Sequence, residues 1–239
     1  MMDHSYIDKN LADVRRRIEE AAQRAGRDAS SITLMAAIKS ADADEIKYLF
    51  EHCGVTAMGE NRVQQLTERY AVTGNADIDL HFIGSLQTNK VKYIIDKVSL
   101  IHSLDSERLA EEIQKQAQKR GIVADVLVEI NSGNEQSKGG IEPNEVASFC
   151  LSLSKYPNIK LCGFMTMAPR CEDKQDYYPY FNNTKRIADE VWHKALGFDG
   201  DPIISMGMSE SYEQAIECGA TMVRIGRCLF VKDEPEIKV

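Results

Sequence analysis

Ile32-Thr33-Leu34-Met35-Ala36-Ala37-Ile38, closed by Lys39, is the stretch on which the fold turns. A short apolar run of this kind reads as a buried strand when helical patterns flank it. Upstream, Tyr6 to Arg27 carries Ile7, Leu11, Val14, Ile18 and Ala21 near helical spacing and stops at Gly26. Downstream, the segment ADADEIKYLFEHCG has the same periodicity and stops on Gly54. A strand between two helices needs a parallel neighbour, because parallel pairing requires a crossover connection.

The alternation continues to the end of the chain. VTAMG (55–59) precedes a helix through Arg69, and DLHFIG (79–84) precedes a helix over roughly 87–97. SLIHSL (99–104) precedes a helix whose N-cap is Ser106 and whose stop is Gly121. ADVLVEIN (124–131) leads to a helix across 143–155 with Pro143 near its first turn. IKLCGFMTM (159–167) leads to the long stretch 173–196, and PIISMG (202–207) leads to SESYEQAIECG, stopping on Gly219. TMVRIG (221–226) comes last, followed by a short tail.

Eight strand candidates thus alternate with helical segments, the last leading into the tail. Eight such units close most naturally into a (β/α)8 TIM barrel, here with an additional N-terminal helix. A doubly wound open sheet is the alternative that periodicity leaves standing. No Pro/Gly/Ser linker, repeat or low-complexity tract divides the chain, so residues 1–239 are expected to form a single domain.

Charge and cysteine usage narrow the function classes. The net charge of −8 argues against a nucleic-acid partner, whose phosphates attract basic surfaces. No stretch approaches the ~20 apolar residues of a membrane helix. MMDHSYIDKN has no apolar core for a signal peptide, so a cytoplasmic location is expected. The six cysteines are scattered without a C-x-x-C pair, which predicts reduced, mostly buried thiols. The five histidines offer no metal-ligand spacing, and no metal is expected.

Parallel barrels carry their sites at the C-terminal ends of the strands. Lys39 ends the first run; an amine in a partly apolar pocket loses its proton more readily and can condense with an aldehyde. Read alone, a lysine snorkelling to water is the better account of this position. Ser205-Met206-Gly207-Met208-Ser209 joins the seventh run to a helix, with Gly207 permitting an unusual turn and Ser209 placed as an N-cap. Arg224-Ile225-Gly226 closes the eighth run, where Gly226 would let a phosphate approach the backbone. Loops after strands seven and eight are where barrels frequently hold phosphate, although ordinary capping and turn chemistry accounts for both segments as well. Gly59-Glu60-Asn61, Ser85 and Asn131 also stand at strand ends.

At these residues the chain resembles the pyridoxal phosphate homeostasis protein family (YggS/PROSC). The resemblance is carried by Met35-Ala36-Ala37-Ile38-Lys39, Gly59-Glu60-Asn61-Arg62-Val63-Gln64, His81 to Lys90, Ser205 to Ser209 and Met222 to Gly226, in order. It implies a barrel similar to that of alanine racemase and a bound pyridoxal 5'-phosphate held as an imine on Lys39. It further implies that Asn61 lies close to the cofactor, that Ser205, Ser209 and Gly226 line its phosphate, and that Arg224 faces the pyridine nitrogen. The sequence departs from the family after the lysine, where Ser40-Ala41-Asp42 replaces the usual Thr and following Pro, and Gln65 replaces a Glu. The amine is intact; the pocket rim is altered.

The resemblance favours binding over catalysis, with no catalytic residue. An arginine at the pyridine nitrogen stays cationic and makes the ring a weak electron sink. Racemisation needs a second acid/base, supplied in two-domain racemases by an extra domain not found in this chain, and few buried acid/base groups are expected near the site. The expected role is intracellular homeostasis of the cofactor, with pyridoxal phosphate-dependent apo-enzymes as candidate partners and a monomeric state. An amino-acid racemase is the alternative, and a lysine-dependent aldolase a third reading.

Overall fold

The computed structural model describes residues 4–74, 77–133 and 139–232; the tail expected after the last strand falls mostly outside these. Helix α1 (Ser5–Arg24) buries Ile7, Leu11, Val14, Ile18 and Ala21, the stripe its periodicity predicts. Eight parallel strands follow: β1 (Thr33–Ala37), β2 (Ala57–Glu60), β3 (Asp79–Phe82), β4 (Leu100–Leu104), β5 (Ala124–Ile130), β6 (Ile159–Thr166), β7 (Ile203–Met208) and β8 (Met222–Ile225). They pair in sequence order, and β8 returns to β1 with Leu34 beside Val223 and Met35 beside Arg224. That last pairing closes the sheet into a barrel and excludes the open doubly wound sheet.

Helices α2 (Ala43–Glu51), α3 (Val63–Thr73), α4 (Glu107–Arg120), α5 (Val146–Ser152), α6 (Tyr177–Asp189), α7 (Tyr212–Glu217) and α8 (Arg227–Phe230) surround the barrel. Their ends follow local chemistry. Asp42 and Glu45 form a reciprocal capping box on α2. Ser106 accepts from the Leu109 amide, and Gly121 ends α4 at φ +64°. The helix expected at 87–97 is instead a 3-10 run, Thr88–Tyr93. Val91 within the run and Ile94 at its C-terminal cap are both fully buried, and a three-residue repeat puts them on one edge. The segment expected as a helix over 143–155 is helical only from Val146 to Ser152, ending in a 3-10 turn over Leu153–Lys155.

Period-two alternation divides the apolar residues into two cores. Ala36, Ile38, Phe82, Ile101, Val126, Phe164 and Ile204 pack outward beneath the helices. Met35, Ala37, Ala57, Ile83 and Met222, with Leu100, Leu127 and Met165, form smaller clusters inside the barrel. The interior positions these clusters leave are polar. His81, His102, Ser205, Glu129 and Arg224 are all buried there.

The six cysteines form no disulfide. Cys150 and Cys218 are buried while Cys53, Cys162, Cys171 and Cys228 are only half-buried, so the expectation of mostly buried thiols is corrected. Cys53 and Cys171 stand in connections between elements, which burial covers incompletely. Among the described residues, no helix is long and apolar enough to cross a membrane, and no cluster of three His, Cys, Asp or Glu could hold a metal ion.

Candidate functional site

The C-terminal strand ends converge on a cavity of ≈ 450 Å³. Lys39 enters it from a 3-10 turn (Ile38–Ser40) directly after β1, and Asn61 from the residue after β2. Ser209 follows β7, Arg224 lies within β8, and Gly226 follows it. Parallel pairing therefore gathers residues from both ends of the chain at one mouth. A larger surface depression of ≈ 800 Å³ lies near Trp192 and Phe198 at the start of β6. It is away from these strand ends and brings together no comparable set of polar groups.

Lys39 is exposed to the cavity, and among the described residues its amine has no hydrogen-bond or ion-pair partner. The backbone just before it is anchored: Arg69 on α3 donates to the Ile38 carbonyl at 2.7 Å and to the buried Glu60 carboxylate at 3.1 Å. Glu60 also accepts from the Asn61 amide at 2.8 Å. Asn61 is thereby oriented, yet its side-chain Oδ1 is buried and unpartnered. Such an atom costs free energy until a ligand satisfies it or the amide turns.

On the far strands, Ser209 Oγ accepts from the amides of Gly226 and Cys228, each at 3.4 Å. These long bonds leave a hydroxyl and two amides grouped at the cavity wall. A Cβ on Gly226 would come within 3.0 Å of the Ala37 carbonyl oxygen, so the absence of a side chain lets β8 end against β1. Arg227 and Arg170 add cations at the rim, both paired with Glu210. The donor set, the orphaned Asn61 oxygen and the free amine fit a small phosphorylated aldehyde.

Arg224 is 4% exposed and lines the cavity. It donates to Ser205 Oγ at 2.7 Å and to the Thr166 carbonyl at 3.0 Å. Burial pulls its guanidinium down to about 10, partly offset by Glu129, so it remains protonated at neutral pH. Glu129, on the interior face of β5, is pushed up to about 7 by burial and the nearby Asp105, with Arg224 opposing.

Five of the six sequence-predicted residues, Lys39, Asn61, Ser209, Arg224 and Gly226, line this one cavity. Ser205 does not. It is fully buried behind Arg224, which its hydroxyl holds. Ser209 is not a helix N-cap, because α7 begins only at Tyr212; Gly207, two residues before Ser209 near the end of β7, has φ +87°. The expectation of few buried acid/base groups is also corrected: His81, His102 and Glu129 all lie buried inside the barrel. The signal for them was present in the alternation, since His81 and His102 sit on the inward-facing positions of β3 and β4.

Residues 9–234 match the family model for the alanine racemase N-terminal domain. The pyridoxal phosphate homeostasis protein of Aquifex aeolicus is 45% identical over 225 residues, covering 93% of this chain and 96% of that protein. The protein of the same name from Escherichia coli is 32% identical over 228 residues, covering 94% and 95%. The chain belongs to the pyridoxal phosphate homeostasis protein family.

The solved structure of PipY of Synechococcus elongatus with PLP bound superposes with a TM-score of 0.81 at 27% identity, over 94% of this chain and 100% of that one. Alanine racemase of Clostridium difficile shares the barrel at TM-score 0.72 and 22% identity, and this chain spans 58% of its length.

Proposed function

We propose that the chain binds pyridoxal 5'-phosphate covalently at Lys39 and serves its homeostasis, without catalysing a reaction of its own. The observation that carries this reading is the unpartnered Lys39 amine opening on the same cavity as the buried, cationic Arg224. When bound, the cofactor supplies an aldehyde carbon that bonds the lysine nitrogen with loss of water. Arg224 would face the ring nitrogen as a donor and keep that nitrogen an acceptor, which weakens the ring as an electron sink. Ser209 and the amides of Gly226 and Cys228 would hold the phosphate, and Asn61 would stand beside the ring. Ser205 would act through Arg224.

The whole chain is read as one cofactor-binding unit, acting in the cytoplasm as a monomer, with pyridoxal phosphate-dependent apo-enzymes as recipients. The test is an absorbance spectrum of protein incubated with pyridoxal phosphate, then borohydride reduction and peptide mapping. The expected result is a visible band and a reduced adduct on Lys39; an adduct confined to another lysine would overturn the assignment. The alternative of an amino-acid racemase demands an acid/base on the second face of a substrate. Interconversion of alanine enantiomers by concentrated protein would favour it.

A further inference from the structure

Arg224 is the upper end of a continuous hydrogen-bonded chain that crosses the barrel interior. Arg224 donates to Ser205 Oγ at 2.7 Å, and Ser205 Oγ lies 3.1 Å from His102 Nδ1. His102 Nε2 lies 2.9 Å from His81 Nδ1, and His81 Nε2 lies 2.8 Å from Asp79 Oδ2. Asp79 begins β3, so it stands at the N-terminal mouth of the barrel, opposite the cavity, with its side chain half-exposed. Ser99 donates to its other oxygen. Most barrels fill this space with branched apolar side chains. Here a row of polar groups fills part of it, every one with a partner.

For two neutral imidazoles, the chemistry of the two ends sets the direction of every bond. An arginine only donates, and an ionised carboxylate only accepts. Asp79 therefore requires a hydrogen on His81 Nε2, which in a neutral ring leaves Nδ1 as the acceptor. His102 must then carry its hydrogen on Nε2 and accept at Nδ1. Ser205 donates to that Nδ1 and receives Arg224 on a lone pair. Four hydrogens serve the four bonds from Arg224 to Asp79, with both imidazoles neutral. Burial, with His81 and Arg224 nearby, holds His102 well below the ordinary histidine range, consistent with a neutral ring. The first bond from Asp79 in turn holds that carboxylate below its ordinary value.

We propose that His81 and His102 are positioning residues: together with Ser205 they form a one-directional relay through which Asp79, at the far mouth, orients the Arg224 guanidinium toward the ligand. The relay itself is a property of the chain's own residues; its effect on the cofactor rests on the proposed function above. Ordered chains of this kind polarise one another, so altering one end alters the other without any contact to the ligand.

The first measurement uses the protein without cofactor, labelled with ¹⁵N-histidine. His102 is expected to show a single neutral Nε2–H tautomer, with a scalar coupling across the bond to His81 Nδ1. A doubly protonated His102, an Nδ1–H tautomer, or no coupling overturns the relay. The second compares wild type with Asp79→Asn, whose carboxamide keeps the size but not the charge. Mixed His81 tautomers are expected with the fold intact by circular dichroism. In protein loaded with pyridoxal phosphate, a shifted absorbance band and release faster on the order of threefold are expected. Tautomers that change while band and release rate stay at wild-type values would confine the relay to structure and overturn its reach to the site. Wild type that takes up no cofactor would sink the proposed function but leave the tautomer result standing. His102→Gln, which retains one donor and one acceptor, should recover part of what His102→Phe loses in the band position; equal loss in both would count against positioning.

Discussion

Gly84 and the backbone of Asn61 are packed with no room for a methyl group between them: a Cβ on Gly84 would lie 2.0 Å from the Asn61 carbonyl oxygen. The contact joins the ends of β2 and β3, where the Ile83 amide donates to the Glu60 carbonyl at 2.9 Å. It presses Asn61, with its unsatisfied buried Oδ1, into the cavity wall. Gly84→Ala must displace backbone rather than a flexible side chain. We expect a loss of about 1–3 kcal/mol in denaturant unfolding and a weakened hold on pyridoxal phosphate in the same variant. Unchanged values of both would show that the two strand ends can separate freely.

Lys39→Ala removes an exposed amine that has no hydrogen-bond or ion-pair partner among the described residues. Stability should stay within about 0.5 kcal/mol of wild type, since no buried surface or bond is lost. The visible absorbance of the cofactor complex should vanish. Chemical denaturation and an absorbance spectrum of one preparation separate the two effects.

Arg69 joins the two strand ends that carry Lys39 and Asn61. Its guanidinium bonds the Ile38 carbonyl and the Glu60 carboxylate, which is about 1% exposed. Arg69→Met leaves that carboxylate buried without its cation and is expected to cost about 3 kcal/mol. Adding Glu60→Gln should recover part of the loss, because a neutral amide needs no counter-ion. A double variant as unstable as the sum of the singles would exclude coupling between them.

Glu129 makes stability depend on pH. Its carboxyl is raised from an ordinary 4.5 to about 7, first by burial and then by Asp105. The folded state thus keeps a proton that the unfolded chain releases between these values, so this contribution is full below about 4.5 and is lost as pH rises through about 7. Glu129→Gln removes the loss. The variant should match wild type near pH 4 and exceed it by about 2–3 kcal/mol at pH 8 in urea unfolding. Equal stability at both pH values would place the Glu129 carboxyl in the ordinary range.

Much of this molecule was legible in its sequence, for a local reason. Strand and helix periods, the Ser106 cap and the Gly121 stop are properties of residues within a few positions of each other, and each is found where the pattern puts it. Strand ends in a parallel barrel all point to one mouth, so Lys39, Asn61, Ser209, Arg224 and Gly226 could be named before any coordinates. The 87–97 segment folds as a 3-10 run where its pattern predicts a helix, because apolar spacings of three and four are hard to separate over two turns. In the fold the segment packs against α3 and α4, contacts that no local spacing reveals.

What sequence alone determined, then, is the alternation of elements and the identity of the groups at the strand ends. Tertiary structure decided which groups stand one layer deeper. Ser205 and Ser209 are four residues apart, yet one supports Arg224 from behind and the other lines the cavity. His102, itself bonded to His81, meets Ser205, more than a hundred residues away, only once the sheet has closed and the inward faces of all eight strands share one interior. Periodicity states that a side chain points inward. It does not state what is waiting there, because that depends on strand register and closure, which are set by the packing of the whole chain.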